Sequence, residues 1–250
     1  MGKSIAGHLI KAGYTVHVYN RTKAKAEDVL AGGALWQDSP GELARHCDVI
    51  MTMVGYPHDV EQVYFGDHGI LQQAKPGSVL VDLTTSSPSL ASRIYDEALA
   101  RGLYALDAPV SGGDVGAREA RLSIMVGGSK AVFEQLLPLF AVFGKNIVHQ
   151  GEAGAGQHTK MCNQIAIASN MMGVAEALAY AVQSGLQPDA VLQSIETGAA
   201  GSWSLSNLGP RMLKGDYAPG FYVKHFIKDM GIALQAAEEM KLELPGLALA

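Results

Sequence analysis

Ser78-Val79-Leu80-Val81-Asp82-Leu83 is followed shortly by Ser87-Pro88, and the two stretches read together decide the fold. The first is a continuous apolar run of strand length, which suits a strand covered on both faces. In the second, Ser87 is a helix N-cap and Pro88 fits the first turn of a helix that runs to about Ala100. The same alternation extends both ways along the chain. Residues 3–12 have a helical pattern with Ile5, Leu9 and Ile10 on one face. Thr15 to Tyr19 is β-rich, Lys23 to Ala31 is helical and is ended by Gly32-Gly33, and Val49 to Val54 is another buried strand. Tyr104 to Val110 and Ser123 to Val126 complete the β signals. Apolar strands alternating with helices predict a Rossmann-type, doubly wound parallel sheet covered on both faces.

The pattern changes after Gly151. Gly151-Glu152-Ala153-Gly154-Ala155-Gly156 reads as a flexible joint, and the remaining signals are helical, over 157–185, 188–197, 204–213 and 224–241. The expected organisation is an α/β domain over 1–150 and an all-α domain over 151–250. A doubly wound sheet opens with a strand and a G-x-G turn, whereas this sequence opens at the glycine that closes such a turn. A first strand of ~5–6 residues is therefore expected to be absent. The end, Leu244 to Ala250, stops as if a further helix should follow.

Composition narrows the classes. With 250 residues, 48% hydrophobic and 17% charged, the chain can bury a real core and is not disordered as a whole. The net charge is 19 − 24 = −5 with no basic run, which argues against a nucleic-acid partner. Ile165 to Val182 is apolar but interrupted by Ser169, Asn170 and Glu176, so it reads as a buried helix and not a membrane span. The opening residues carry no signal-peptide pattern. Cys47 and Cys162 lie far apart without a CxxC, which fits reduced thiols in a cytoplasmic protein. His158 and Cys162 have ligand spacing but no third partner, so no metal site is expected.

Three clusters could carry chemistry. The strand ending at Tyr19 leads into Asn20-Arg21-Thr22. The NAD version of such a unit has an acidic residue at that strand end, which binds the ribose hydroxyls. A guanidinium and a hydroxyl there suit a 2′-phosphate instead, although a turn that merely contains Arg reads equally blandly. Asp107-Ala108-Pro109-Val110-Ser111-Gly112-Gly113 follows a strand, and its hydroxyl and open backbone could hold a carboxylate; an ordinary glycine-rich loop is the alternative. In Gly154-Ala155-Gly156-Gln157-His158-Thr159-Lys160-Met161-Cys162-Asn163, Lys160 and Asn163 share one helix face. A lysine in a first turn is disfavoured by the helix dipole and, if shielded from water, could act as an acid/base. A solvated helix lysine is the commoner case. Trp203, in a loop of small residues, reads as a packed residue before it reads as a pocket wall.

In this order and at these separations, the segments resemble the β-hydroxyacid dehydrogenase family, which includes 3-hydroxyisobutyrate dehydrogenases, tartronate semialdehyde reductases and glyoxylate reductases, with 6-phosphogluconate dehydrogenases as distant relatives. The most specific stretches are Asp107 to Gly113, Gly154 to Asn163, and Phe221 to Asp229. The resemblance implies Lys160 as the catalytic lysine; Ser111, Gly112 and Gly113 as the carboxylate loop; and Asn163 as the substrate-orienting amide. It further implies Gly2, Asn20, Arg21, Thr22, Val54, Thr85 and Lys228 on the cofactor. Arg21 and Thr22 look like the NADP-preferring members, with NAD as the other option. It also implies a short β-hydroxy acid as substrate and a homodimer or homotetramer. Gln164 stands where many members have a second Asn, and Val54-Gly55-Tyr56-Pro57 where many have Leu-Pro. Two other readings compete: a non-catalytic oligomerisation or ligand-sensing protein, and an imine reductase-like enzyme. Lys160 and the Ser111–Gly113 loop favour the acid substrate over the imine.

Overall fold

The computed structural model describes residues 1–250 and divides into two compact units, Met1–Lys160 and Met161–Ala250. The first unit begins with α1 (Gly2–Lys11), β1 (His17–Val18), a 3-10 turn over Lys23–Ala26, α2 (Glu27–Ala31), β2 (Leu35–Trp36), α3 (Pro40–His46) and β3 (Val49–Thr52). It continues with α4 (Pro57–Phe65), α5 (Ile70–Gln73), β4 (Val79–Asp82), α6 (Pro88–Ala100), β5 (Tyr104–Asp107), β6 (Val110–Ser111), α7 (Gly113–Arg118), β7 (Leu122–Gly128), α8 (Lys130–Phe140) and β8 (Gly144–Gly151). The helix α9 (Ala155–Gln183) starts in this unit, and α10 (Pro188–Ile195), α11 (Trp203–Leu213), α12 (Val223–Glu239) and α13 (Pro245–Leu249) complete the second.

The deciding stretch folds as read. β4 is buried along its whole length. Ser87 Oγ accepts from the Leu90 N–H at 3.2 Å, with Pro88 at the first helical position of α6. β3, β4 and β5 are parallel, in a register that sets Thr52 beside Asp82 and Asp82 beside Asp107. This is the Rossmann-like core, and it aligns the carboxyl ends of three strands at one edge, where such sheets bind ligands. β1 and β2 pair in parallel as a two-stranded sheet of their own.

The far side of the larger sheet departs from the all-parallel expectation. β7 runs antiparallel to β5 and β6, and β8 then pairs in parallel with β7. The expected strand over Tyr104–Val110 is split because Pro109 has no N–H to give a ladder. The pairing of β7 with both pieces absorbs the break. Two apolar clusters cover the sheet. One joins α1 and α8 through Ile5, Phe133 and Phe140 to Val81 and Ile124. The other joins α4 and α6 through Val60, Tyr64 and Ile94 to Ile50 and Leu80.

In the second unit, one stripe of α9 is buried. Met161 and Ala168 pack with Ile232, Ala233 and Leu247, and Val174 and Leu178 pack with Leu192 and Leu205. At 29 residues α9 is long and apolar enough to cross a membrane by length and composition. The reading of it as a buried helix holds for that stripe only, since Tyr180 and Val182 are exposed. The exposed side mixes polar and apolar residues, with Ser169, Asn170 and Glu176 beside Tyr180 and Val182.

Candidate functional site

The carboxyl end of β4 carries a buried polar chain. Asp82 Oδ1 accepts from Thr52 Oγ1 at 2.9 Å and from the Thr84 N–H at 3.0 Å, and Thr52 also bonds the Tyr64 hydroxyl. Burial pushes the Asp82 carboxyl up to about 6, opposed by the hydrogen bonds from Thr84 and Thr52 and reinforced by the neighbouring Asp107 charge. Thr84 Oγ1 in turn accepts from the Val54 N–H at 3.0 Å. Val54, after β3, and the Thr84-Thr85 pair, after β4, are thus tied together at one edge of the sheet. Thr85 is half-buried beside the fully buried Thr84. Gly2, at the start of α1, faces the same edge: a Cβ there would stand 3.7 Å from Met53 Cβ.

Asn20, Arg21 and Thr22 are exposed. Asn20 Nδ2 donates to the Thr22 carbonyl at 2.7 Å, closing the turn. Arg21 Nη1 donates to Asp59 Oδ1 at 3.0 Å, while its side chain stays 79% exposed. Asp59 is buried, and its other oxygen accepts from the Tyr56 N–H at 3.1 Å at the start of α4. Tyr56 stacks on His58 at 5.3 Å between ring centres. Asp59 was not singled out in the sequence. Its position four residues after Gly55 carries no motif, and only the fold brings it to Arg21.

Ser111 ends β6, and Gly112 and Gly113 both have positive φ, +125° and +64°. A side chain at Gly112 would also press on Leu122 at 3.3 Å. The double glycine is thus a requirement of this backbone.

Lys160 lies in the second turn of α9 and is 7% exposed. The start of that helix is held by Asp107, the last residue of β5. Its Oδ1 accepts from the Gly154 N–H and its Oδ2 from the Gln157 N–H, each at 2.8 Å. Burial raises the Asp107 carboxyl while these amide donors pull it down. Gln157 is fully buried; its Oε1 accepts from the Ser86 N–H at 3.0 Å and its Nε2 donates to the Thr84 carbonyl at 2.7 Å. These bonds fasten the first turns of α9 to the sheet, and the first compact unit runs to Lys160.

In the second unit, Asn163 Nδ2 donates to Gln164 Oε1 and Gln164 Nε2 donates to Asp229 Oδ2, both at 2.6 Å. Lys228 Nζ stands 2.9 Å from Asp229 Oδ1 as an ion pair, outside the angles of a hydrogen bond. Asn163 and Lys228, far apart in sequence, are therefore joined through Gln164 and the 1% exposed Asp229. The glutamine that departs from the common Asn-Asn pair is the residue that reaches Asp229. Trp203 opens α11 and is 69% exposed, so it is neither packed nor pocket-lining within one chain.

Comparison with known proteins assigns each part of the chain to a family model. Residues 1–151 match the family model described as the NAD binding domain of 6-phosphogluconate dehydrogenase. Residues 154–250 match that described as NAD-binding of NADP-dependent 3-hydroxyisobutyrate dehydrogenase. Over its whole length the chain is 63% identical to an uncharacterized oxidoreductase of Bacillus subtilis, covering 87% of it. It is 50% identical to the probable 3-hydroxyisobutyrate dehydrogenase-like 1, mitochondrial, of Arabidopsis thaliana, covering 75% of that protein. Over 99% of the chain it is 40% identical to 2-hydroxy-3-oxopropionate reductase of Escherichia coli, covering 85% of that protein. Among solved structures, 3-hydroxyisobutyrate dehydrogenase of Mycobacterium tuberculosis superposes with a TM-score of 0.92 at 29% identity, over 99% of this chain and 87% of the other.

Proposed function

The chain belongs to the β-hydroxyacid dehydrogenase family, and from that premise we propose that it exchanges a hydride between NADP(H) and the β-carbon of a short β-hydroxy acid or its semialdehyde, with Lys160 as general acid/base. The family membership makes it an NAD(P)-dependent oxidoreductase of small hydroxy acids. The choice of NADP, the lysine's role and the identity of the acid are the proposal.

The residues fit such a dinucleotide. The first turn of α1 contains no acidic residue and no side-chain cap, which leaves a helix start suited to a pyrophosphate. Arg21 is tethered by one guanidinium nitrogen and otherwise open, with Asn20 and Thr22 exposed beside it. That donor set suits a 2′-phosphate. Val54 and Thr85, at the strand-end edge, serve the nicotinamide side. When bound, the nicotinamide supplies or accepts the hydride. The protein's own task is to place the substrate and move a proton.

Ser111, Gly112 and Gly113 hold the substrate carboxylate, which fixes the β-carbon by position. In the oxidative direction the Lys160 amine takes the hydroxyl proton, and in reduction the Lys160 ammonium returns it to the carbonyl oxygen. From the helical unit the proposal takes Asn163 as the amide that orients that oxygen and Lys228 as a cofactor-side lysine. The observation that carries the reading is the burial of Lys160 in the same unit as the Ser111–Gly113 loop and the β4 strand end. The exposed aromatic residues Tyr180, Trp203, Tyr217 and Tyr222 of the second unit support a homo-oligomer formed through it.

The test is turnover of 3-hydroxyisobutyrate and of 2-hydroxy-3-oxopropionate with NADPH/NADP and with NADH/NAD. The proposal expects one of these acids to be turned over, with the phosphorylated cofactor preferred. Turnover with cyclic imines and none with either acid would overturn it. Light scattering at working concentration reports the oligomer, and a monomer would contradict that part.

A further inference from the structure

We infer that Asp107 and Gln157 are positioning residues for Lys160, clamping the start of α9 to the strand ends so that the lysine can reach only one place. This rests on the reading of Lys160 as the acid/base.

Four hydrogen bonds carry the inference. Asp107 spans the Gly154 and Gln157 amides with its two oxygens, and Gln157 spans the Ser86 amide and the Thr84 carbonyl with its two side-chain atoms. The first pair fixes the helix start to β5. The second fixes the same turn to the loop after β4, next to Thr85. Lys160 follows Gln157 by three residues, close to one full turn, so rotation and axial slip of the helix are both set immediately before it. α9 has no acidic residue of its own in its first turn. The carboxylate that answers its N-terminal dipole comes from the sheet.

The glycines of the motif have their reason here. A Cβ on Gly127 would lie 2.5 Å from Asp107 Oδ1 and 2.7 Å from the Gly156 nitrogen. One on Gly156 would lie 2.6 Å from the Asp107 carbonyl oxygen and 2.8 Å from Oδ2. Gly154 has φ +89°, and a Cβ there would approach the Pro88 carbonyl oxygen at 3.1 Å. Gly127 and Gly156 therefore leave room for one carboxylate inside the turn, and Gly154 supplies the positive φ of the amide that donates to it. The clamp also joins the three segments that the proposed reaction uses, since Ser111 follows Asp107 by four residues, Thr85 lies between Thr84 and Ser86, and Lys160 follows Gln157.

Asp107→Asn keeps the shape and removes the charge and one acceptor. Gln157→Ala removes the bridge and leaves the backbone bonds. Both are compared with the unaltered chain for NADPH binding, turnover of 3-hydroxyisobutyrate or 2-hydroxy-3-oxopropionate, the solvent deuterium isotope effect on kcat, and amide exchange over residues 154–161. The expected result is NADPH affinity within about twofold and turnover per NADPH site lower by about 10- to 100-fold, the cost of a misplaced catalytic group. The isotope effect should be larger, because proton transfer through Lys160 becomes slower. Exchange over 154–161 should be faster, with protection elsewhere retained. Turnover per NADPH site that is unchanged, or that falls with an unchanged isotope effect, would leave only a structural role and overturn the inference; so would unchanged exchange. Lys160→Met, run beside them, separates the two ideas. Turnover in that variant would sink the lysine reading, while the exchange data would still report on the clamp. If Asp107→Asn does not fold, Gln157→Ala decides, and if neither acid is turned over by the unaltered chain, exchange decides.

Discussion

The two ends of the first unit's candidate site are built in opposite ways. Around Lys160 everything is closed: Asp107, Gln157 and the lysine itself are 5%, 0% and 7% exposed, and glycines are needed simply to make room. Around Arg21 everything is open: the side chain is 79% exposed and held by a single ion pair to Asp59. On the proposed function, the difference follows from what each end would be asked to do. Proton transfer loses rate steeply with displacement, so its lysine needs a rigid frame. A phosphate is recognised by charge and donors at the surface, where geometry is forgiving and solvent screens errors. On that proposal, cofactor choice is the easier property to change in this chain, and the frame around Lys160 is the harder.

That contrast can be broken or sharpened in several ways. The largest expected effect concerns the buried carboxyl beside the frame. Asp82 is held at about 6 in the folded chain against an ordinary 3.8, so the folded state binds the proton more tightly than the unfolded one. Its contribution is greatest below about pH 4 and is lost as pH rises through about 6, to an extent of up to about 3 kcal/mol. The difference in unfolding free energy between the native chain and Asp82→Asn, followed from pH 4 to 7, measures it. A flat difference would place the Asp82 side chain in contact with water.

Gly156→Ala comes next. The added methyl has nowhere to go between Met125 and Asp107, and the expected cost is about 1–3 kcal/mol, read as a lower denaturation midpoint. A neutral substitution would mean the clamp is looser than described. Arg21→Ala should weaken NADPH binding by about tenfold and leave NADH within about twofold, a loss of about 1.4 kcal/mol confined to the phosphorylated cofactor. Equal weakening of both would assign Arg21 to the general fold of the loop. The smallest effect is a gain. Gly7 lies inside α1 with open space where a Cβ would stand, so Gly7→Ala should add about 0.5–1 kcal/mol of stability by helix propensity alone. Destabilisation there would show that the helix packs more closely than its surroundings indicate.

Much of this was legible in the sequence where the signal is local. The apolar run of β4 and the Ser87-Pro88 start of α6 announce themselves within ten residues, because burial and capping act at short range. β8 did not, since Gly144 to Gly151 alternates exposed and half-buried residues at the edge of the sheet and carries no apolar run. The antiparallel placement of β7 was equally hidden, as strand direction depends on a partner far along the chain. At the site, Lys160 and the Ser111-Gly112-Gly113 loop stand out as residue types in a pattern. Asp107 and Gln157 lie in the same stretches, but the partners they hold do not show there. Asp107 stands 47 residues from the Gly154 amide it binds, and Gln157 stands 73 from the Thr84 carbonyl. Thr84, not its neighbour Thr85, ties Val54 to Asp82, a choice between adjacent threonines that only side-chain direction makes. Gln164, noted as a departure, proved to be the link between Asn163 and Asp229.

The most direct test of the division of labour between the closed end and the open end is a paired measurement of kcat and of NADPH dissociation constant in Lys160→Met and Arg21→Ala. The lysine variant should lose at least about 100-fold in kcat, the low end for a general acid/base, with NADPH binding unchanged. The arginine variant should keep kcat at saturating NADPH and lose affinity. Near-normal turnover in Lys160→Met, or loss of NADPH binding in it, would contradict the assignment of proton transfer to the buried lysine.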